Sequence, residues 1–182
     1  MKSLLILGAG QFGQVTKEIA EAIGYERIDF LDDVSKTAIG KLNEYNNFIG
    51  YGEAIVAIDD ILLRMAYLEK LKLAGFTIPV LIHPSAYVSP SVTIGEGTVV
   101  EPEANIHTGC VIGRGCIVSM AANINHHTRV GDFCHIACNS TVMQNTDIET
   151  CMNTISGQLH FKEPSKRSSR RLESDFSFDS GM

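Results

Sequence analysis

The chain has 182 residues, of which 45% are hydrophobic and 20% are charged, and its formal net charge is −6. These values are typical of a globular protein of one or two domains, and the negative charge argues against a general nucleic-acid binder. No apolar run approaches the ~20 residues of a membrane span, and the apolar N-terminus is too short for a signal peptide, so a cytoplasmic protein is expected.

Residues 3–33 have the order of a βαβ unit with a glycine-rich turn. A short apolar strand, Ser3–Leu7, precedes the turn, whose glycines are Gly8, Gly10 and Gly13. A helix follows to about Ile23, with Val15, Ile19, Ala22 and Ile23 on its apolar face, and a second strand covers Arg27–Leu31.

Two acids, Asp32 and Asp33, follow the second strand, and Asp32 lies nineteen residues after Gly13. This order and spacing match the dinucleotide fingerprint, in which the helix N-terminus binds phosphate and the carboxylate binds a ribose hydroxyl. The alternative is a tight strand–helix turn that binds nothing.

The region up to residue 80 continues the α/β pattern. Residues 34–52 are polar and are predicted to be irregular, Ala54–Ile58 is a predicted third strand, and Ile78–Ile82 is a predicted final strand. Between them, Asp59 or Asp60 is expected to cap a helix over Ile61–Ala74. Its predicted buried face consists of Leu62, Met65, Leu68, Leu71 and Lys72. Residues 1–80 are therefore half of a dinucleotide domain, which is too little for a dehydrogenase.

Every sixth residue from Val88 to Ile148 is valine or isoleucine, and a mostly small residue lies two positions before each. A period of six is typical of hexapeptide β-helices, and an amphipathic helix cannot produce it. We predict a left-handed parallel β-helix over residues 81–155, with about three and a half coils of eighteen residues. Gly95, Gly113 and Gly131 recur once per coil, which indicates a corner that needs positive φ or close backbone approach.

The five cysteines are odd in number and lack Cys-x-x-Cys spacing, so neither a disulfide framework nor a zinc site is expected. Cys110, Cys116 and Cys134 fall on small inward positions of the repeat, where they would be buried. Residues 156–182 are polar and are predicted to form an extended tail; the alternative is that they cover the last coil.

Histidines cluster on the predicted solenoid. One coil separates His107 from Asn125, which places His107 in register with Asn125 and beside His126 and His127. One hypothesis is a zinc site of converging imidazoles, although the ligand pattern of solenoid carbonic anhydrases is not found. Another is a single histidine that acts as general base when an amine or hydroxyl attacks a thioester. A third is surface histidines without a role.

These motifs together resemble a known family. Three segments carry the resemblance. The first is the glycine-rich unit that ends in Phe30-Leu31-Asp32-Asp33, and the second is His83-Pro84-Ser85-Ala86. The third is a solenoid that contains Asn125-His126-His127 and Val130-Gly131-Asp132-Phe133-Cys134-His135-Ile136. They resemble the bacterial sugar acetyltransferases of the sialic acid O-acetyltransferase and UDP-4-amino-sugar N-acetyltransferase type, over roughly residues 3–148.

The resemblance implies an acetyl-CoA-dependent homotrimer that acts in polysaccharide biosynthesis, with active sites between subunits. Gly8, Gly10, Gly13 and Asp32 or Asp33 would contact a UDP-sugar, and acetyl-CoA would lie along the solenoid. His126 aligns with the family's catalytic base, and His135 aligns with a histidine of the acetyl pocket. No metal is implied, and neither the sugar nor the choice between amine and hydroxyl acceptor follows.

The chain departs from the family pattern in three respects. The family often has Gly-His where Gln11 and Phe12 stand, and an acid where His127 stands, so Asn125 or another neighbour would orient the base. Further coils follow Ile148 in the family, whereas this pattern fails here after Ile148. The alternative function is therefore a non-catalytic sugar-nucleotide-binding paralogue that lacks the coenzyme A groove.

Overall fold

A computed structural model describes residues 2–161; the predicted tail beyond residue 161 lies outside the described residues. The N-terminal region has a three-stranded parallel sheet of β1 (Ser3–Leu7), β2 (Arg27–Leu31) and β3 (Ala54–Val56), in the order β2-β1-β3. Two helices, α1 (Gln11–Ala22) and α2 (Ile61–Leu73), connect and flank it, and a 3₁₀ segment covers Leu42–Tyr51 within the stretch predicted to be irregular. The predicted βαβ unit is confirmed.

The buried faces of the two helices differ from prediction in detail. Ala22 is exposed, and α1 instead buries Phe12 and Thr16 with Ile19. On α2, Leu62 is 76% exposed and Lys72 faces Glu96. The buried residues are Arg64, Leu68 and Leu71, which share one face because they are spaced i, i+4, i+7. The prediction for Leu62 and Lys72 was wrong because the buried face of α2 runs along Arg64, Leu68 and Leu71, and it begins with a charged residue.

The rest of the described chain is a parallel β-solenoid of two-residue strands. These are β4 (Leu81–Ile82), β5 (Tyr87–Val88), β6 (Thr93–Ile94), β7 (Val99–Val100), β8 (Asn105–Ile106), β9 (Val111–Ile112), β10 (Ile117–Val118), β11 (Asn123–Ile124), β12 (Arg129–Val130), β13 (His135–Ile136), β14 (Thr141–Val142), β15 (Asp147–Ile148) and β16 (Leu159–His160). They stack into three sheets, and each strand pairs with the strand eighteen residues away, as Ile117 does with Val99 and His135.

The solenoid core consists of the β-branched and small residues that the repeat predicts. Ile106, Ile124 and Val142 are fully buried, as are Cys110 and Cys116. Each fully buried aliphatic side chain contributes about 1.5–3 kcal/mol of transfer free energy, so the repeated positions stabilise every coil. The stack also extends past the predicted boundary at residue 155, because Thr141 and Val142 of β14 pair with Leu159 and His160 of β16.

The corners of the coils use two kinds of special residue. A positive φ occurs at every sixth position from residue 97 to residue 157, namely Gly97, Glu103, Gly109, Gly115, Ala121, His127, Phe133, Asn139, Asn145, Cys151 and Gly157. The once-per-coil glycines serve close approach instead, since a Cβ at Gly95 would lie 2.5 Å from the Arg114 nitrogen. Of the two reasons offered for these glycines, the structure supports the second.

One outer face of the solenoid packs against the N-terminal region. Leu81, Val99 and Ile117 project from β4, β7 and β10 into a core cluster with Leu4 and Phe12. The fourth residue of that outward ladder is His135, which therefore lies at the edge of the contact between the two regions. The helices within residues 2–161 are too short or too polar to cross a membrane.

Candidate functional site

The glycine-rich turn joins β1 to α1 at the carboxyl edge of the sheet, and its glycines have different roles. Gly8 has φ +107°, and a Cβ there would lie 2.3 Å from the Ala57 carbonyl oxygen. A Cβ at Gly13 would lie 2.2 Å from the Gly8 carbonyl oxygen. Gly10, by contrast, has open space around it. Gly8 and Gly13 are therefore needed for packing, and Gly10 leaves room for a ligand.

The N-terminus of α1 faces this open space without a side-chain cap. Gly10 occupies the N-cap position, and the first turn of the helix contains no acidic residue. The first N–H groups of a helix have no partner within the helix, and they carry the positive end of its dipole. This arrangement suits a phosphate group.

Asp32 closes the turn from the side. Its Oδ2 accepts a hydrogen bond from the Ala9 amide at 2.9 Å, and its Oδ1 accepts from Val34 and Ser35 at 2.8 and 2.7 Å. These bonds lower the pKa of Asp32, and the bond from the Ala9 amide has the largest effect. Asp33 accepts from the Leu42 amide at 3.1 Å. Both acids thus hold the loop in shape, and a ligand would meet carboxylates that already have partners.

The second cluster lies at the solenoid corner between β11 and β12, which we call the histidine corner (residues 125–127). His126 and His127 are both exposed, and their Nδ1 atoms lie 3.1 Å apart with ring planes at 83°. One of these nitrogens must carry the shared proton. When His126 donates from Nδ1 to His127, its Nε2 has a free lone pair that can accept a proton.

The backbone of the corner explains the orientation of His127. Its φ of +58° belongs to the left-handed region, which histidine adopts more readily than most residues. Gly109 lies one coil before it, and a Cβ there would come 2.9 Å from Cδ2 of His127. The Asn125 amide instead points to the Met143 sulfur at 3.9 Å. The side chain that contacts the His126 ring is therefore that of His127.

His107 lies in the same corner one coil earlier, as the period predicts, since its amide donates to the Ile124 carbonyl. Its ring meets Tyr87 edge-on, with 6.3 Å between ring centroids. Within the described residues, 2–161, no group of three or more metal-binding side chains could hold an ion.

His135 lies away from the histidine corner, on the sheet that faces the N-terminal region. Its Nε2 is 2.8 Å from Oγ of Ser119. Burial lowers the pKa of His135, the nearby Arg64 cation lowers it further, and Asp59 opposes them. His126 and His135 thus lie on different sides of the solenoid, and a single chain does not bring their side chains into one site.

Sequence analysis did not identify Ser119, Asp59 or Arg64 as neighbours of His135. The period of eighteen contains part of this information, because it stacks Ile117 under His135 and brings the end of β10 beside it. The sequence also contains an indication that Arg64 is buried, since its spacing from Leu68 and Leu71 places all three on one helix face. A cation at such a position is unusual in a buried stripe.

Comparison with known proteins finds sugar acetyltransferases among the proteins that this chain is similar to. Residues 3–71 match the PglD N-terminal domain family. The chain is 34% identical over 111 residues to UDP-N-acetylbacillosamine N-acetyltransferase of Bacillus subtilis (strain 168), covering 55% of this chain and 51% of that protein. It thus spans about half the length of this curated relative.

Two solved structures have the same architecture over most of the chain. The acetyltransferase domain of PglB from Neisseria gonorrhoeae FA1090, in complex with acetyl coenzyme A, is 32% identical with a TM-score of 0.77, and the match covers 88% of this chain and 85% of that one. A mutant of perosamine N-acetyltransferase from Caulobacter crescentus, in complex with CoA and GDP-perosamine, is 24% identical with a TM-score of 0.72, covering 90% and 95%. The second likeness concerns the fold alone.

Proposed function

This chain belongs to the hexapeptide-repeat sugar acetyltransferases of the sialic acid O-acetyltransferase and UDP-4-amino-sugar N-acetyltransferase family, and we propose that it moves the acetyl group of acetyl-CoA to an amino or hydroxyl group of a UDP-linked sugar. The observation that carries the proposal is the combination of an open helix N-terminus at Gly10 with an exposed, paired imidazole at His126. The relative's name supports UDP as the nucleotide and an amine as the acceptor.

His126 is the proposed general base. Its Nε2 accepts a proton from the acceptor amine as the amine nitrogen attacks the acetyl carbonyl carbon. The carbonyl oxygen becomes an oxyanion that hydrogen-bond donors would stabilise. Collapse of this intermediate breaks the carbon–sulfur bond, and the coenzyme A thiolate leaves and recovers a proton. His127 is a proposed positioning residue, since its Nδ1 can accept from Nδ1 of His126 and keep Nε2 free.

The nucleotide is proposed to bind at the carboxyl edge of the N-terminal sheet. Its phosphates would approach the backbone at Gly10, while Gly8, Gly13 and Asp32 maintain the loop. Asp33 is the remaining proposed contact for the nucleoside. Each carboxylate oxygen has more than one acceptor site, so Asp32 and Asp33 can serve the loop and a ligand together.

Acetyl-CoA is proposed to lie along the solenoid, and His135 is proposed to line the acetyl pocket. Since His126 and His135 lie on different sides of one solenoid, a homotrimer in which neighbouring subunits complete each site is part of the proposal. Light scattering of the purified protein would test the trimer.

The direct test is thiol release from acetyl-CoA by the purified full chain in the presence of a UDP-4-amino-sugar. The proposal predicts release that depends on both substrates. Calorimetry with UDP and with coenzyme A separates the alternative, because a non-catalytic paralogue would bind UDP, would not bind coenzyme A and would release no thiol.

A further inference from the structure

Arg64 is a buried charge in a position where an aliphatic side chain would ordinarily pack. Its exposed fraction is 1%, and it shares a face of α2 with Leu68 and Leu71. Burying a guanidinium group costs free energy unless its N–H groups have acceptors. The identity of those acceptors therefore indicates why an arginine is present.

All four hydrogen bonds of the Arg64 guanidinium go to backbone carbonyl oxygens. Nη1 donates to Ile58 at 2.7 Å and to Asp59 at 2.9 Å, both in the loop between β3 and α2. Nε donates to Gly115 at 3.0 Å and Nη2 to Phe133 at 3.3 Å. Gly115 and Phe133 are corner residues of successive coils, so one side chain ties this loop to two coils of the solenoid.

The two ends of this connection lead to the two parts of the site. The loop between β3 and α2, residues 57–60, contacts the glycine-rich turn, because any Cβ at Gly8 would meet Ala57 and Ile58. On the solenoid side, Phe133 is buried among N-terminal residues and lies two positions before His135. Arg64 therefore connects a wall of the proposed nucleotide site to the strand that carries His135.

We propose that Arg64 is a positioning residue that sets where the bound nucleotide sugar lies relative to the acetyl-transfer residues on the solenoid. This inference rests on the proposed function. Arg64 does not contact the substrate; it acts through the loop of residues 57–60. A displacement of about 1 Å in such a support can cost about 100-fold in rate. One buried side chain can therefore determine how fast the acceptor sugar reacts.

The charge of Arg64 has a second consequence. The groups that face His135 are Arg64 and Asp59 from the N-terminal region and Ser119 from the neighbouring coil, with Glu101 near Ser119. Arg64 lowers the pKa of His135 and Asp59 raises it. Removing the cation should therefore move the titration of His135 to higher pH.

The test uses Arg64→Lys and Arg64→Met. Lysine keeps the charge but cannot reach four carbonyls, and methionine loses both charge and donors. Both variants should lower kcat and raise the KM for the nucleotide sugar, each about tenfold or more, while the KM for acetyl-CoA changes by less than about twofold. In Arg64→Met alone, the titration of the His135 ring itself, followed by NMR, is expected to move to higher pH.

Tyr25→Phe is the matched control. It removes the hydrogen bond from Tyr25 to Glu53, which joins the amino ends of β2 and β3 at the opposite edge of the sheet. It should lower the Tm and leave both KM values unchanged. An unchanged KM for the nucleotide sugar in Arg64→Lys, or equal increases in both KM values, would overturn the proposal.

Calorimetry with UDP keeps this inference separate from the proposed function. If the wild type releases no thiol, the proposed function fails. The positioning role is then supported by weaker UDP binding in Arg64→Lys than in Tyr25→Phe, and overturned by equal binding. The same comparison decides the matter if Arg64→Met does not fold.

Discussion

The N-terminal region and the solenoid present their functional residues in opposite ways. In the N-terminal region, most motif residues are used by the fold itself, because Gly8 and Gly13 allow close packing and Asp32 accepts three backbone amides. In the solenoid, inward residues make the core, and a corner residue such as His126 contributes nothing to it. Substitutions of these packed motif residues should therefore affect mainly stability, whereas substitutions of exposed solenoid corner residues should affect mainly activity.

The largest stability effect is expected at Gly13. In Gly13→Ala the new methyl group would collide with the Gly8 carbonyl oxygen, and overpacking of this kind costs about 1–3 kcal/mol. Gly10→Ala is the control, since its φ of −71° and open surroundings accept a methyl group. Urea unfolding should show the loss in Gly13→Ala, whereas calorimetry should show weaker UDP binding in Gly10→Ala. Equal unfolding midpoints for the two variants would contradict the division of roles among the glycines.

A smaller effect is expected when His127 is changed. Activity should fall, and the stability of the fold should not change. His127→Asn suits the left-handed backbone but removes the ring nitrogen that contacts His126, so kcat should fall about tenfold, which corresponds to one hydrogen bond. His127→Glu should retain activity, because a carboxylate can accept from His126 and because Glu103 occupies the equivalent corner position with φ +60°. If kcat is the same in His127→Asn as in wild type, His127 does not orient the base.

The smallest effect concerns His135, which lies where the two regions meet. Its folded-state pKa is lowered, chiefly by burial, so the unfolded chain binds this proton more readily than the folded one. Stability should therefore be complete above about pH 6.5, the unfolded value, and should fall as the pH decreases through the folded pKa. His135→Gln should show a flatter dependence of Tm on pH between 7.5 and 5.5. An identical slope in both proteins would show that burial of His135 does not contribute.

The sequence predicted the solenoid almost residue by residue, since each coil repeats one spacing and Ile106, Ile124 and Val142 mark its interior directly. The βαβ unit was equally readable from its glycines and strands. The pairing of His126 with His127 could not be predicted, because it depends on the left-handed backbone at His127 and on the absence of a side chain at Gly109. The same is true of Arg64, whose acceptors lie 51 and 69 residues away in the chain.

The central claim is that His126 is the base of an acetyl transfer to a nucleotide sugar. The most direct measurement is acceptor-dependent thiol release from acetyl-CoA by wild type, His126→Ala and His107→Ala, the last being an exposed histidine of the same corner one coil earlier. Loss of a general base predicts a 10²–10⁴-fold lower turnover for His126→Ala, with wild-type turnover for His107→Ala and an unchanged Tm in both. Turnover of His126→Ala at the wild-type rate would contradict the account.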